Sequence, residues 1–232
     1  MKHQRKSLIL TRAGKFVLEK SHYFFEGQEN FKNQILGYKD EVTGHLTIGI
    51  SRSLAGKDFS QALKKFLVAY PKVDLKIKLG KTENQKELLE SGKIDIGICI
   101  NHGKLFNVEQ VKLRSGSFLF LGKKQSELNL LLTEPRPETQ QLLSFLERKH
   151  PTLLDLNSIE IESWSIIWQM IQAGLGKGLV PDFMSAKTKG IENFSASLKL
   201  PSLKYDIICF YKKQHAKKFP LKKFLPYLKQ YF

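Results

Sequence analysis

A chain of 232 residues can form one large domain or two small ones, and its 41% hydrophobic content excludes a disordered protein. Its 38 lysines and arginines outnumber 22 acidic residues, so the formal charge of +16 favours either a polyanionic partner or a solvated, lysine-rich surface. No segment reaches the roughly 20 apolar residues of a membrane helix, and the N-terminus lacks the apolar stretch of a signal peptide, so we predict a cytoplasmic protein without membrane contact.

The first predicted element is one long helix over residues 12–42. Apolar residues recur along it every seven positions, as in the seam of a coiled coil. The predicted dimerisation residues are Val17, Phe24, Phe31, Ile35 and Tyr38. Gly27 and Gly37 each weaken such a helix by about 1 kcal/mol relative to alanine, so a partner helix must cover the seam. We expect that partner to come from a second copy, because no other segment of similar length matches this one.

Alternating strands and helices follow from residue 44. The predicted elements are strands at 45–51, 73–79 and 94–100 and helices at 59–70 and 82–92. Thr82 and Gln85 have the spacing of a capping box at the start of the second helix. This βαβαβ order predicts a parallel sheet with right-handed crossovers.

A second α/β series occupies the rest of the chain. Its predicted elements are strands at 118–122, 128–133, 158–162, 178–181 and 205–211 and helices at 137–149, 164–173 and 220–232. Gly174 is predicted to stop the helix before it, and Gly176 and Gly178 to let the backbone turn sharply into the next strand. Two units of similar size predict an α/β fold with two lobes and a cleft. The two cysteines, Cys99 and Cys209, lie in apolar runs and are predicted to be reduced core residues.

Five short motifs stand in order along the chain. They are "LILTRAG" (8–14), "GHLTIGIS" (44–51), "FLVAYPKVDLKIKLG" (66–80), "LLESGKIDIGI" (88–98) and "MIQAGLGKGLVP" (170–181). Together they resemble the LysR-type transcriptional regulators over nearly the whole chain. The resemblance implies a two-lobed, periplasmic-binding-protein-like domain preceded by a long dimerisation helix. It also implies a small-molecule effector in the cleft and regulation of transcription by a dimer or tetramer.

The resemblance also implies a domain organisation. Residues 1–14 are the remnant of a winged helix-turn-helix, 15–43 the linker helix, and 44–232 the effector-binding domain. Lobe I spans about 44–116 and 205–232, and lobe II about 117–204.

One departure from the family is large. The helix that reads DNA lies upstream of the wing in this family, and nothing ahead of Ser7 can form two helices. We therefore expect DNA binding to depend on a helix-turn-helix that is missing here or encoded upstream. The alternative is a naturally truncated LysR-like protein that binds effector or pairs with other regulators without a DNA-reading helix.

Ligands of open α/β sheets bind beyond the carboxyl ends of the strands, against helix N-termini. The residues at those ends form the predicted effector site: Ser51, Arg52, Ser53, Asn101, Thr133, Glu134, Ser163 and Trp164. Hydroxyls and helix N-termini suit a carboxylate or a similar anion. The resemblance implies that Ser51, Ser53, Thr133 and Ser163 face the effector.

Each of these residues also has a plainer interpretation. Serine and threonine are ordinary helix caps, and Trp164 is an ordinary core residue. Arg52 stands where the family often has proline, and Glu134 would repel an anion.

No catalytic set is present in the sequence. The six histidines lack metal-ligand spacing, and GxSxG, Walker and CxxC motifs are absent. We therefore predict that the chain is not an enzyme and has no metal or cofactor, only an unidentified small-molecule effector. A solute-binding protein on a similar fold fits less well, because the signal peptide is missing and the long helix is present. The basic segment 212–223 either contacts DNA phosphates or forms a solvated surface. We favour the surface, because no base-reading element accompanies it.

Overall fold

The computed structural model of the protein describes residues 11–37, 42–101, 107–124, 129–185 and 188–232. Tyr38 of the predicted seam and most of the predicted wing remnant lie outside these residues.

The described ranges contain helices and strands in a mostly alternating order, interrupted by two runs of consecutive strands. The helices are α1 (Arg12–Gly37), α2 (Lys57–Ala69), α3 (Thr82–Glu90), α4 (Pro137–Lys149), α5 (Trp164–Ala173) and α6 (Phe219–Tyr231). The strands are β1 (Gly44–Ile50), β2 (Val73–Leu79), β3 (Ile96–Asn101), β4 (Glu109–Gly122), β5 (Asn129–Leu132), β6 (Asn157–Glu160), β7 (Lys177–Pro181), β8 (Glu192–Asn193) and β9 (Lys204–Tyr211). The predicted bounds of β2, α4 and α5 are confirmed. Most of the other predicted elements differ from the observed ones by a few residues, and β4 begins nine residues before the predicted strand at 118–122.

The strands hydrogen-bond in the order β2-β1-β3-β9-β4-β7-β5-β6, with β8 beside β4. β1 is parallel to β2 and to β3, as the βαβαβ order predicts. β5 is likewise parallel to β6 and to β7. Between these groups, β9 and β4 run antiparallel to each other. We call β1, β2 and β3 with their helices the first lobe, and β5, β6 and β7 with theirs the second lobe; together they form the predicted two-lobed α/β fold.

β4 is the strand that passes from one lobe to the other. Its residues Glu109–Ser117 pair with β9, and Phe118–Leu121 pair with β7. Only 118–122 was predicted as a strand, because residues 109–117 are mostly polar and none of them is fully buried. Antiparallel strands of this kind lack the continuous apolar run of a buried parallel strand.

Each lobe has a helix packed on an apolar sheet. In the first lobe, Phe66 of α2 lies against Phe224 of α6, with 5.0 Å between the ring centroids, and both side chains are fully buried. In the second lobe, Ile167 and Ile171 of α5 are fully buried against the strands. Burying an aliphatic or aromatic side chain of this size contributes about 1.5–3 kcal/mol, which is why these helices dock where they do.

The turn after α5 depends on glycine in two different ways. Gly174 ends the helix with φ +82°, the left-handed C-cap that the sequence predicts. The chain turns from α5 into β7 within three residues, as predicted, but Gly176 and Gly178 do not adopt positive φ, so the turn does not use the conformational freedom expected of them. A Cβ at Gly176 would lie 2.3 Å from the Asn129 carbonyl oxygen, and one at Gly178 would lie 2.9 Å from the Leu131 carbonyl oxygen. Both glycines therefore let β7 approach β5 closely.

The predicted capping box at the start of α3 is also wrong. α3 begins at Thr82, so Lys81 and not Thr82 is the N-cap residue, and the Lys81 side chain makes no capping hydrogen bond. The buried amide of Gln85 instead donates to the Gly80 carbonyl at 3.2 Å. Gln85 therefore fixes the loop before the helix.

Candidate functional site

The carboxyl ends of the strands in the two lobes face each other. The 3-10 turn Arg52–Leu54, which follows β1, contacts α5, which follows β6. Lys81, which follows β2, extends its Nζ to within 2.7 Å of Glu134 Oε2, and Glu134 follows β5. The fold thus brings the predicted strand ends together across a cleft between the lobes.

Ser51 and Ser163 occupy matching positions on the two sides of this cleft. Ser51 precedes the turn Arg52–Leu54, and Ser163 precedes α5. Neither hydroxyl makes a capping hydrogen bond, although both residues hold the N-cap position. The interpretation of these two serines as ordinary helix caps is therefore wrong, and their hydroxyls are not used in holding the helix ends.

Ser53 lines a pocket of about 220 Å³ beside the cleft. The apolar part of its wall comprises Leu54, Phe183, Met184, Ile207 and Phe232. Lys57 and Asp58, in the first turn of α2, add one charge of each sign. The wall residues come from four separate segments, and no local pattern in the sequence joins them, so sequence analysis missed all of them except Ser53. The side chain of Arg52 is exposed.

Thr133 is buried, and its hydroxyl is hydrogen-bonded to that of Thr139 in the first turn of α4. This contact joins the end of β5 to α4, so the hydroxyl already has a structural partner. Asn101 ends β3 opposite Asp206 of β9, and its side chain lies outside what the structure describes.

Glu134 sits in a network of cations that the sequence did not reveal. Besides Lys81, it accepts hydrogen bonds from Arg136 Nη2 at 2.6 Å and from Arg136 Nε at 3.2 Å. Hydrogen bonds from Lys81 lower the pKa of Glu134, and Arg136 lowers it further. The hydrogen bond to Glu134 correspondingly raises the pKa of Lys81. The Glu134 carboxylate is therefore neutralised locally and does not present an isolated negative charge to the cleft.

Trp164 forms part of the second lobe's wall. The guanidinium of Arg136 lies 4.5 Å from its ring centroid, and Phe118 packs on it with 5.3 Å between centroids. Trp164 is 5% exposed, and its indole N–H has no hydrogen-bond partner among the described residues. Leaving such a donor unsatisfied costs about 1–3 kcal/mol, so a water molecule or a ligand acceptor would stabilise it.

Lys81 was missed although the sequence contained the signal for it. The strand-end rule that selected Ser51 and Ser163 applies equally to β2, whose carboxyl end leads directly to Lys81. Arg136 was missed because it precedes α4 and reaches the cleft only by folding back on Glu134.

The predicted seam on α1 remains uncovered within the chain. The side chains of Val17, Phe24, Phe31 and Ile35 are between 51% and 70% exposed. α1 contacts α6 of the same chain, but that contact leaves these four residues accessible.

Within the described ranges, no three His, Cys, Asp or Glu side chains come together in a way that could hold a metal ion. None of the helices described is both long and apolar enough to cross a membrane.

Comparison with known proteins gives one family match. The model of the LysR substrate binding domain matches residues 39–232. HTH-type transcriptional regulator YtlI of Bacillus subtilis is 35% identical over 94 residues, which are 40% of this chain and 30% of that protein. Uncharacterized HTH-type transcriptional regulator YraN of the same species is 22% identical over 77% of this chain and 64% of its own length. The chain thus spans less than two thirds of either relative.

Solved structures show the same fold. An H2O2-bound cysteine-to-serine mutant of Corynebacterium glutamicum OxyR superposes with a TM-score of 0.65 at 19% identity, covering 99% of this chain and 78% of that one.

Proposed function

Because this chain belongs to the LysR substrate-binding domain family, we propose that it senses a small-molecule effector between its lobes and regulates transcription as a dimer or tetramer. One observation carries this proposal: the carboxyl ends of the strands in the two lobes face each other. Ser51 and the turn after β1 lie on one side, and α5 lies on the other. We place it in the cytoplasm, with DNA as its macromolecular partner through a helix-turn-helix such as those named in its relatives.

The cleft favours an effector with a polar or anionic group and an apolar part. The hydroxyls of Ser51 and Ser163 and the first turn of α5 offer hydrogen-bond donors that suit an oxygen-rich group. The apolar wall beside Ser53 offers a surface for the rest of the molecule. Glu134 does not oppose an anion, because Lys81 and Arg136 compensate its charge.

We further propose that lobe I comprises about 44–116 and 205–232 and lobe II about 117–204. The change in the pairing partner of β4 supports this boundary, since Ser117 pairs with β9 and Phe118 with β7.

Peroxide sensing through a thiol, which the name of the H2O2-bound OxyR structure suggests for that protein, is not what we propose here. Cys99 and Cys209 are both buried. They belong to different apolar clusters, on opposite faces of the sheet. Burial raises the pKa of the Cys209 thiol to about 12, and a protonated, inaccessible thiol reacts slowly with oxidants.

A second candidate is a LysR-like partner protein without a DNA-reading helix, which binds effector or pairs with intact regulators. The exposed apolar side chains of α1 support it, because the linker helix of an intact regulator would cover them as well as a second copy would. The two candidates differ in whether the purified protein binds DNA without another regulator.

A thermal-shift screen tests effector binding directly. We expect at least one compound in a panel of carboxylic acids, amino acids and phosphate or sulfate esters to raise the Tm. A ligand at a hundred times its Kd stabilises the folded state by about 2.7 kcal/mol. The double variant Ser53→Ala, Ser163→Ala should lose most of this shift. Ser144→Ala, an exposed serine on α4, is the matched control and should keep it.

An equal shift in the double variant and in the control would place the compound elsewhere on the protein and contradict the proposed cleft.

A further inference from the structure

Three charged residues join the two lobes at the outer end of the cleft. Lys81 Nζ lies 2.7 Å from Glu134 Oε2 and 3.4 Å from Glu162 Oε2. Lys81 follows β2, whereas Glu134 and Glu162 follow β5 and β6. The two ion pairs therefore cross from the first lobe to the second.

These ion pairs lie far from the strands that connect the two lobes. The lobes are connected through β9 and β4, which lie in the middle of the order β2-β1-β3-β9-β4-β7-β5-β6. Lys81 extends from the strand at one end of this order, and Glu162 follows the strand at the other end. A contact so far from the connecting strands resists opening of the lobes more effectively than one beside them. The ion pairs thus close the mouth of a cleft whose hinge is β4 and β9.

The acceptor is held ready for Lys81. Arg136 donates two hydrogen bonds to Glu134 Oε1, which leaves Glu134 Oε2 for Lys81. Arg136 itself is fixed over the ring of the buried Trp164. The side chain of Glu134 is 23% exposed, so its pair with Lys81 is partly shielded from solvent, whereas Glu162 is 75% exposed. A preorganised, partly shielded acceptor loses less entropy on pairing than a mobile surface carboxylate.

We infer that Lys81, Glu134 and Glu162 form a latch that favours closure of the two lobes and so retains the effector in the cleft. The latch rests on the proposed effector-sensing function and adds a positioning role for Lys81 and Glu162. Two cations, Lys81 and Arg136, face two carboxylates, so the closed latch is balanced in charge. Opening it exposes Lys81 on one lobe and leaves Glu134 with Arg136 on the other.

Distances between the lobes in the absence of effector test the latch. Spin labels at Lys65→Cys on α2 and Glu147→Cys on α4 report the separation of the lobes, since both positions are exposed and both native cysteines are buried. Labelled chain is diluted with unlabelled chain, so that pulsed electron–electron double resonance records the distance between the two labels within one copy. Lys81→Met should move the distance distribution to longer values by more than the width of the wild-type distribution.

Two matched variants and one condition complete the test. Lys86→Met removes a lysine of α3 whose ion pair is local, with Glu90 one helical turn away at 3.9 Å, and should leave the distribution unchanged. Lys81→Arg keeps the charge and should restore the wild-type distribution. Raising the salt from 0.1 M to 1 M shortens the Debye length from about 10 Å to about 3 Å. The wild type should then shift toward the distances of Lys81→Met, and Lys81→Met itself should not respond.

Wild type and Lys81→Met with the same distribution at both salt concentrations would overturn the latch, as would an equal shift in Lys86→Met. These distances need neither effector nor DNA. A failed latch would therefore leave the thermal-shift result standing, and a failed screen would leave the distances standing.

Discussion

Asp95 shows how much of the structure a single buried side chain can hold. It lies in the motif "LLESGKIDIGI", is 7% exposed, and accepts a hydrogen bond from the Thr47 N–H at 2.8 Å through Oδ2. Its Oδ1 accepts one from Lys218 Nζ at 2.8 Å, and its carbonyl oxygen lies 3.0 Å from Nδ1 of the buried His215. One aspartate thus connects β1 to the segment that follows β9. This contact explains structurally why the motif contains an aspartate at this position.

The contact between Asp95 and Lys218 shows that part of the basic segment 212–223 has a structural role. The side chain of Lys218 is only 13% exposed and is paired with Asp95, and Lys212 donates to the Glu90 carbonyl at 2.8 Å. These two lysines therefore serve the fold. Counting charges along the sequence could not separate them from exposed neighbours such as Lys217.

Replacing Lys218 should cost far more stability than replacing the lysine beside it. Lys218→Met leaves the buried Asp95 carboxylate without its cation, and breaking a buried ion pair in this way costs about 3–5 kcal/mol. Lys217→Met, at an exposed position, should change the free energy of unfolding by less than about 0.5 kcal/mol. Denaturation in urea measures both, and equal midpoints for the two variants would show that the Asp95–Lys218 pair does not stabilise the fold.

At the scale of elements, the sequence predicted best where a local pattern was complete. α5 was found with its bounds because its apolar run ends at a glycine in the left-handed conformation. The first half of β4 was missed because its residues are half-exposed and polar, so its partner β9 rather than its own sequence makes it a strand. In the candidate site, too, residues with a local sequence pattern could be predicted and residues placed by tertiary contacts could not. Strand ends such as Ser51 could be predicted, whereas Phe183 and Phe232 reach the pocket only through tertiary folding.

Two glycine substitutions should have opposite effects on stability, because an added Cβ meets backbone at one position and open space at the other. A Cβ at Gly176 would meet the backbone oxygen of Asn129 at 2.3 Å, and backbone cannot move aside as a flexible side chain can. Gly176→Ala should therefore destabilise the protein by about 1–3 kcal/mol. Gly27→Ala, where a Cβ would meet nothing within 4 Å on α1, should instead stabilise that helix by up to about 1 kcal/mol.

Thermal unfolding of the two variants measures these effects. We also expect Gly176→Val to weaken effector binding together with stability, because β7 and α5 form the wall of the second lobe. Unchanged melting with lost binding would argue against a purely structural role for this turn.

At the scale of the whole molecule, the fold separates three tasks. The strands β4 and β9 connect the lobes, the opposing strand ends form the cleft, and α1 presents apolar side chains that its own chain leaves exposed. The two-lobed fold was predictable from the order of strands and helices together with the family resemblance. The cations at the mouth of the cleft were not, because Lys81 and Glu134 are 53 residues apart and only the tertiary fold brings them together.

Transcript levels in the native host test the central claim most directly. RNA from a strain lacking the gene would be compared with RNA from strains complemented by the wild type or by the Ser53→Ala, Ser163→Ala variant, with protein levels matched by immunoblot. We predict that deletion changes a discrete set of transcripts, that the wild type restores them, and that the cleft variant leaves them fixed when growth conditions change. Transcripts that are unaffected by the deletion under every growth condition would contradict a role in effector-responsive transcription.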